Sequence, residues 1–106
     1  MAKFLTTNRT SLEIETLIDG ANEVIIIISP YLQISPIIMG RLEKADNKGI
    51  KITIVFREIR NVMGKIDIKR ENQIKNSFKK YKNVNLYKNI NLHAKCYINE
   101  SKAIIS

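Results

Sequence analysis

The sequence predicts an α/β domain: a mixed, mostly parallel sheet flanked by helices and finished by a C-terminal β-hairpin. Three observations lead there. Segments with helical apolar spacing alternate with short β-branched runs, an order that gives parallel strands joined by right-handed crossovers. The first run, Val24 to Ile28, is apolar at every position, as a central strand is when both of its faces are covered. The chain then closes on two extended stretches, His93 to Ile98 and Lys102 to Ile105, around Asn99, Glu100 and Ser101, which read as a tight antiparallel turn. At 106 residues and 44 % hydrophobic content, a single domain over 1–106 is expected.

Each element has a local cause. Thr10 with Glu13 has the spacing of a capping box, which satisfies free N–H groups at a helix start. Ile14, Leu17, Ile18 and Ala21 follow as one apolar face. The strand after it ends at Ser29-Pro30, because proline has no N–H to give a ladder. Ser35-Pro36 supplies an N-cap and a first-turn proline for a second helix. Ile38, Leu42 and Ala45 form its buried stripe and Gly49 its C-terminal cap. Ile50 to Phe56 is the next strand, with Ile50, Ile52, Ile54 and Phe56 on one face. Arg57 to Gly64 reads as a loop. Asp67 to Tyr81 reads as a third helix with Ile74, Phe78 and Tyr81 on its apolar face, and Glu71 four residues before Lys75 as a favourable pair. Val84 to Tyr87 is a short strand before the hairpin.

Composition excludes several classes. The longest apolar run, Val24 to Ile28, is far short of the ~20 residues that a membrane-crossing helix needs, so no integral membrane segment is predicted. The N-terminus has no apolar stretch of signal-peptide length. A single cysteine, Cys96, forbids an internal disulfide, which fits a reducing cytosol and a cytoplasmic location. One cysteine, one histidine and scattered carboxylates make no ligand cluster, so neither a metal nor another cofactor is expected. Cys96 alternates with Lys95 and is expected to be a buried apolar filler. No glycine-rich phosphate loop supports a P-loop or dinucleotide fold.

The net charge of +8 is unevenly placed. Lys65 to Lys88 holds eight basic residues, opposed there only by Asp67 and Glu71. Such a stripe suits a polyanion, either nucleic acid or an acidic membrane surface, and lysine favours phosphate contacts over base edges. It equally suits a solvated helix face.

The most informative feature is His93-Ala94-Lys95, which contains the only histidine. In a strand, His93 and Lys95 share a face. An imidazole beside an ammonium is a workable pair for phosphoryl chemistry: the ring attacks phosphorus and the cation offsets charge on the phosphoryl oxygens. His-x-Lys alone is common by chance. Its context is more specific, because four residues separate Lys95 from the acidic Glu100. This pattern resembles the HKD motif of the phospholipase D superfamily, which has Asp where this chain has Glu. Helix, Glu23 to Tyr31, helix and Gly49 to Phe56 are also similar to the opening of such a domain. The resemblance covers about Thr10 to Ser106. The family motif continues with six residues and a Gly-Ser-x-x-Asn-like stretch. Ser101 to Ser106 supply the six, so the domain is expected to be incomplete at its C-terminus.

The resemblance implies a phospholipase D-like α/β sandwich and a metal-independent phosphodiesterase that forms a phosphohistidine. His93, Lys95 and Glu100 are its implied catalytic residues. Tyr31 and Arg57, near the ends of central strands, and Ser106, next to the phosphate-contacting stretch, are candidate substrate-binding residues. A turn carboxylate is the alternative reading of Glu100, and a packed tyrosine that of Tyr31. One imidazole cannot be nucleophile and proton donor at once, so a second HKD motif is implied, from a homodimer partner or from further sequence. The charge favours nucleic acid as substrate. Two alternatives stay open: a non-catalytic nucleic-acid-binding module of a larger protein, and a phospholipid-directed phosphodiesterase, for which no amphipathic membrane helix is evident.

Overall fold

The computed structural model describes residues 7–30, 34–89 and 91–105, and of 7–10 the backbone only. The elements run α1 (Thr7–Asp19), β1 (Val24–Ser29), α2 (Pro36–Asn47), β2 (Lys51–Arg57), α3 (Ile68–Ser77), β3 (Val84–Asn89), β4 (Cys96–Asn99) and β5 (Ala103–Ile105). The strands form one sheet in the order β3-β2-β1-β4-β5. β1, β2 and β3 are parallel, β4 runs antiparallel to β1, and β5 runs antiparallel to β4. Only β4 therefore points against the others, and the hairpin expected at the C-terminus is β4–β5.

Local signals account for most boundaries. α2 begins where Ser35 Oγ accepts the Ile38 N–H at 3.2 Å, with Pro36 in the first turn. It ends in a Schellman motif: Gly49 N–H bonds the Asp46 carbonyl at 3.0 Å, Ile50 N–H bonds the Ala45 carbonyl at 3.1 Å, and Gly49 takes φ +82°. α1 starts at Thr7, ahead of the capping box expected at Thr10, because Thr7, Asn8 and Arg9 contain no helix breaker. Asp67 caps α3 by accepting the Arg70 N–H at 3.1 Å. That helix stops at Ser77, short of the expected Tyr81. The N–H groups of Phe78, Lys79 and Tyr81 bond carbonyls three residues back, which tightens the chain. Lys75 and Lys79 are like charges at i, i+4 and give no support for continuing it.

The helices all pack on one face of the sheet. Ile14, Ile18 and Ala21 from α1 and its exit, Leu42 and Ala45 from α2, and Phe78 after α3 enclose Ile25, Ile27, Ile52 and Ile54. Those strand residues are in register, Ile25 with Ile52 and Ile27 with Ile54, so they share that face. The other face carries Val24, Ile26, Ile28, Val55, Cys96 and Ile98. All six are only half-buried, and none joins the core cluster. This corrects two expectations. β1 is the central strand but has helices over one face alone, and Cys96 is half-buried on the open face, where a core filler was expected. Continuous β-branched composition states that both faces are apolar; it does not state that both are covered.

Polar clamps fix the loops at the N-terminal ends of the parallel strands. Asp46, buried, accepts the N–H groups of Asn83 at 2.7 Å and Lys82 at 3.2 Å, holding the entry to β3. Buried Asn99 donates to the Leu17 carbonyl at 2.8 Å and accepts the N–H groups of Ser101 and Lys102, holding the hairpin turn against α1.

Candidate active site

Strand direction decides what meets at the site. β1, β2 and β3 end at Ser29, Arg57 and Asn89, on one edge of the sheet. β4 runs the other way, with Cys96 opposite Ile28, so its leading residues arrive at that same edge. His93 and Lys95 lie immediately before Cys96 and are exposed. The chain thereby places residues 57 and 93 on one sheet edge, at the carboxyl ends of parallel strands, where open α/β sheets place their ligands.

The expected strand from His93 to Ile98 begins instead at Cys96. Beyond the Ile28–Cys96 pair the β1–β4 register would set Lys95 against Ser29 and then Ala94 against Pro30, which has no N–H to give a ladder. His93 and Lys95 therefore stand on an unpaired approach to the strand. Strand alternation no longer fixes their relative direction.

Arg57 closes β2 and is half-buried, registered beside Asn89 of β3. β2 and β4 both neighbour β1, so the tracks of Arg57 and Lys95 are about 10 Å apart at ~4.8 Å per strand spacing. Tyr31 and Ser106, the other two substrate-binding candidates, lie outside the described residues.

Glu100 is not brought to this edge. It follows the trailing end of β4, and its carboxylate accepts the backbone N–H groups of Glu23 at 2.8 Å, Val24 at 3.1 Å and Asn22 at 3.1 Å. Those groups lie at the start of β1, and β1 separates them from the His93 edge by roughly 17 Å at ~3.3 Å per residue. Glu100 thus ties the β4–β5 turn to the α1–β1 loop, as in the turn-carboxylate reading of this residue. The N–H groups, that of Glu23 foremost and then that of Val24, hold its carboxyl below the ordinary carboxylate value. Two phenols shift the other way, Tyr97 through burial and Tyr81 through burial and then the Glu43 and Asp46 carboxylates. Both pack against the core cluster.

Sequence reasoning missed the ion network beside the site. Glu71 turns inward from α3, where its Oε1 lies 3.1 Å from Lys88 Nζ and its Oε2 accepts the Ile59 N–H at 3.1 Å. It does not pair with Lys75 as expected. Glu58 is 3.8 Å from the same ammonium and 2.6 Å from Arg60 Nη2, a close contact without hydrogen-bond alignment. Both carboxylates are buried, so their charges demand these partners. One signal was available: Glu71 stands three residues before Ile74 and seven before Phe78, on the apolar face of α3.

The network sorts the cations at the edge. Lys88 and Arg60 are engaged by Glu58 and Glu71. Among the described residues, none donates to, accepts from or ion-pairs with the side chains of His93, Lys95 or Arg57. Also among the described residues, no group of three or more His, Cys, Asp or Glu is placed to hold a metal ion. No described helix is long and apolar enough to cross a membrane.

Comparison with known proteins agrees with this architecture. No curated protein matches the chain. Among solved structures, TrmBL2, an archaeal chromatin protein described as showing a novel mode of DNA binding, is similar with a TM-score of 0.68 at 13 % identity, over 94 % of this chain and 37 % of that one. Nuc from Salmonella typhimurium, a phospholipase D family member, is similar with a TM-score of 0.57 at 26 % identity, over 85 % of this chain and 57 % of that one. This chain thus spans little more than half of Nuc and under half of TrmBL2. The family model described as "Cardiolipin synthase, PLD-like domain" matches residues 14–106, which include every element after the first turns of α1 together with His93 and Lys95. The chain belongs to the phospholipase D-like family of phosphodiesterase domains.

Proposed function

We propose that this domain hydrolyses phosphodiester bonds in nucleic acid without a metal, with His93 as nucleophile. The observation that carries the reading is the convergence of exposed His93 and Lys95 with Arg57 at one sheet edge, while the neighbouring cations Arg60 and Lys88 are engaged by carboxylates. A ring nitrogen of His93 attacks phosphorus and forms an N–P bond as the P–O bond to the leaving alkoxide breaks. Lys95 and Arg57 balance charge on the phosphoryl oxygens, an effect strongest where water is excluded. The alkoxide takes a proton from a second imidazole, since proton transfer to such a leaving group contributes about 10²–10⁴-fold. Water then attacks the phosphohistidine, giving up its proton to that second imidazole, and frees a phosphate monoester and His93.

The second imidazole comes from another His-x-Lys motif, because this sequence has one histidine. A homodimer supplies it across a two-fold axis; further sequence in the same chain is the other source. Nucleic acid is favoured by the lysine-rich stretch that follows β2, and TrmBL2, part of which shares this fold, is described as binding DNA. The lone thiol supports a cytoplasmic setting for this reading.

The test is cleavage of labelled single- and double-stranded DNA and RNA in EDTA, with His93→Ala alongside. Cleavage that survives EDTA, and is abolished by His93→Ala while binding persists, is the expected result. Unchanged cleavage in His93→Ala removes the reading. Salt-sensitive binding without product in either protein replaces it with that of a binding module.

A further inference from the structure

The β2–α3 connection is apolar where a loop is usually polar. Val62 is fully exposed at 104 %, Met63 is 78 % exposed and Ile68 65 %, with Ile66 continuing the patch. The tip is braced even so. Asn61 Oδ1 accepts the N–H groups of Met63 at 2.9 Å and Lys65 at 3.1 Å, and Asn61 N–H bonds the Lys65 carbonyl at 2.8 Å. Gly64 turns at φ +76°, and its carbonyl takes the Arg60 guanidinium at 2.6 Å. Arg60 and Ile66 form a bridge across the base. This geometry holds apolar side chains out in water, where such a contiguous patch marks a contact surface.

The charge around the tip has one sign. Lys65, Lys69 and Arg70 are exposed beside it. The acids nearby are occupied: Asp67 caps α3, and Glu58 and Glu71 are buried against Arg60 and Lys88.

We infer that this loop docks the protein on an anionic lipid surface. Val62 and Met63 enter between headgroups, and Lys65, Lys69 and Arg70 meet the lipid phosphates. Apolar insertion and cationic attraction are the two contributions that together hold a protein at such a surface. A nucleic-acid duplex is a poorer occupant, because without unstacking of bases it offers an apolar tip little beyond the thymine methyls of the major groove. Single strands are gripped by stacking on aromatic rings, and residues 60–68 contain none. The loop leaves β2 at the edge that carries His93, so docking turns that edge toward the bilayer. Docking of this kind does not require the hydrolase reading, but it assigns Lys65, Lys69 and Arg70, part of the stretch that favours nucleic acid there, to lipid phosphate.

The test is co-sedimentation of the full chain with vesicles of equimolar phosphatidylcholine and phosphatidylglycerol, beside pure phosphatidylcholine. Binding to the mixed vesicles alone is expected, and Val62→Asp with Met63→Asp should lower the partition coefficient about tenfold or more with an unchanged circular dichroism spectrum. A polarity-sensitive fluorophore at position 63 (Met63→Cys with Cys96→Ser) should shift to the blue on mixed vesicles. Absence of binding, or binding that the double variant keeps, overturns the inference. So does a double variant that loses affinity for an oligonucleotide, or for a second copy of the chain, in a protein that ignores vesicles.

Discussion

The carboxylate of Glu100 accepts the backbone N–H of Glu23 at 2.8 Å, across most of the chain's length. The motif's acidic position is thereby a fastener between the last hairpin and the first strand. Glu100→Gln should lower the melting temperature and leave turnover per folded enzyme unchanged. Because the folded carboxyl titrates below its ordinary value, the stabilisation is fully present above about pH 5 and is lost as pH falls through the folded value. The difference between wild type and Glu100→Gln should therefore shrink on acidification. A drop in kcat at unchanged stability would return the carboxylate to the chemistry.

Arg57 has no ion pair among the described residues, so removing its charge should cost function more than folding. Arg57→Ala should lower kcat/KM by roughly ten- to a hundredfold, the loss of about 1.5–3 kcal/mol for a hydrogen bond to a charged group. Arg57→Lys should recover part of that. Equal kcat/KM in Arg57→Ala would place the substrate elsewhere along the edge.

Glu71 has the opposite profile. Glu71→Ala strands the Lys88 ammonium with one distant carboxylate and leaves the Ile59 N–H unmet. A loss of about 2–4 kcal/mol is expected, read from the urea midpoint. Lys75→Ala, which removes the partner expected from helix spacing, should change the midpoint little.

Gly49→Ala isolates a backbone cost. An added Cβ meets no heavy atom within 4 Å, so only the positive φ of +82° opposes it. The expected loss is about 1–2 kcal/mol, with Gly49→Asn milder. A neutral Gly49→Ala would mean that the α2–β2 turn relaxes.

Much of the fold was legible because local rules agreed with tertiary demands. Ser35-Pro36 and Gly49 mark the two ends of α2 by capping chemistry that needs no distant partner. Alternation of helix and strand correctly implied that β1 and β2 run parallel, and Asn99 to Ser101 correctly implied the hairpin. Longer-range facts were not legible. Whether the apolar far face of β1 is covered depends on where the helices cross, and Ile26 and Ile28 read the same either way. Glu71 looked like half of a surface pair with Lys75 because spacing along a helix is local, whereas Lys88 arrives from another strand. His93 and Lys95 were read as site candidates from the motif alone, and antiparallel β4 explains how they reach the same edge as Arg57. That Glu100 lies at the other end of β4 from His93 was not legible, because a sequence motif records adjacency along the chain and a strand carries its two ends apart.

The burial of Glu58 and Glu71 around Lys88 also shapes what an approaching anion senses. With Lys88 and Arg60 paired on the β3 side of the edge, Lys95 and Arg57 are the strand-end cations there without an ion pair among the described residues. A polyanionic substrate of the kind proposed would meet unpaired charge at those two positions, and its attraction to them would weaken as added salt shortens the range of the field.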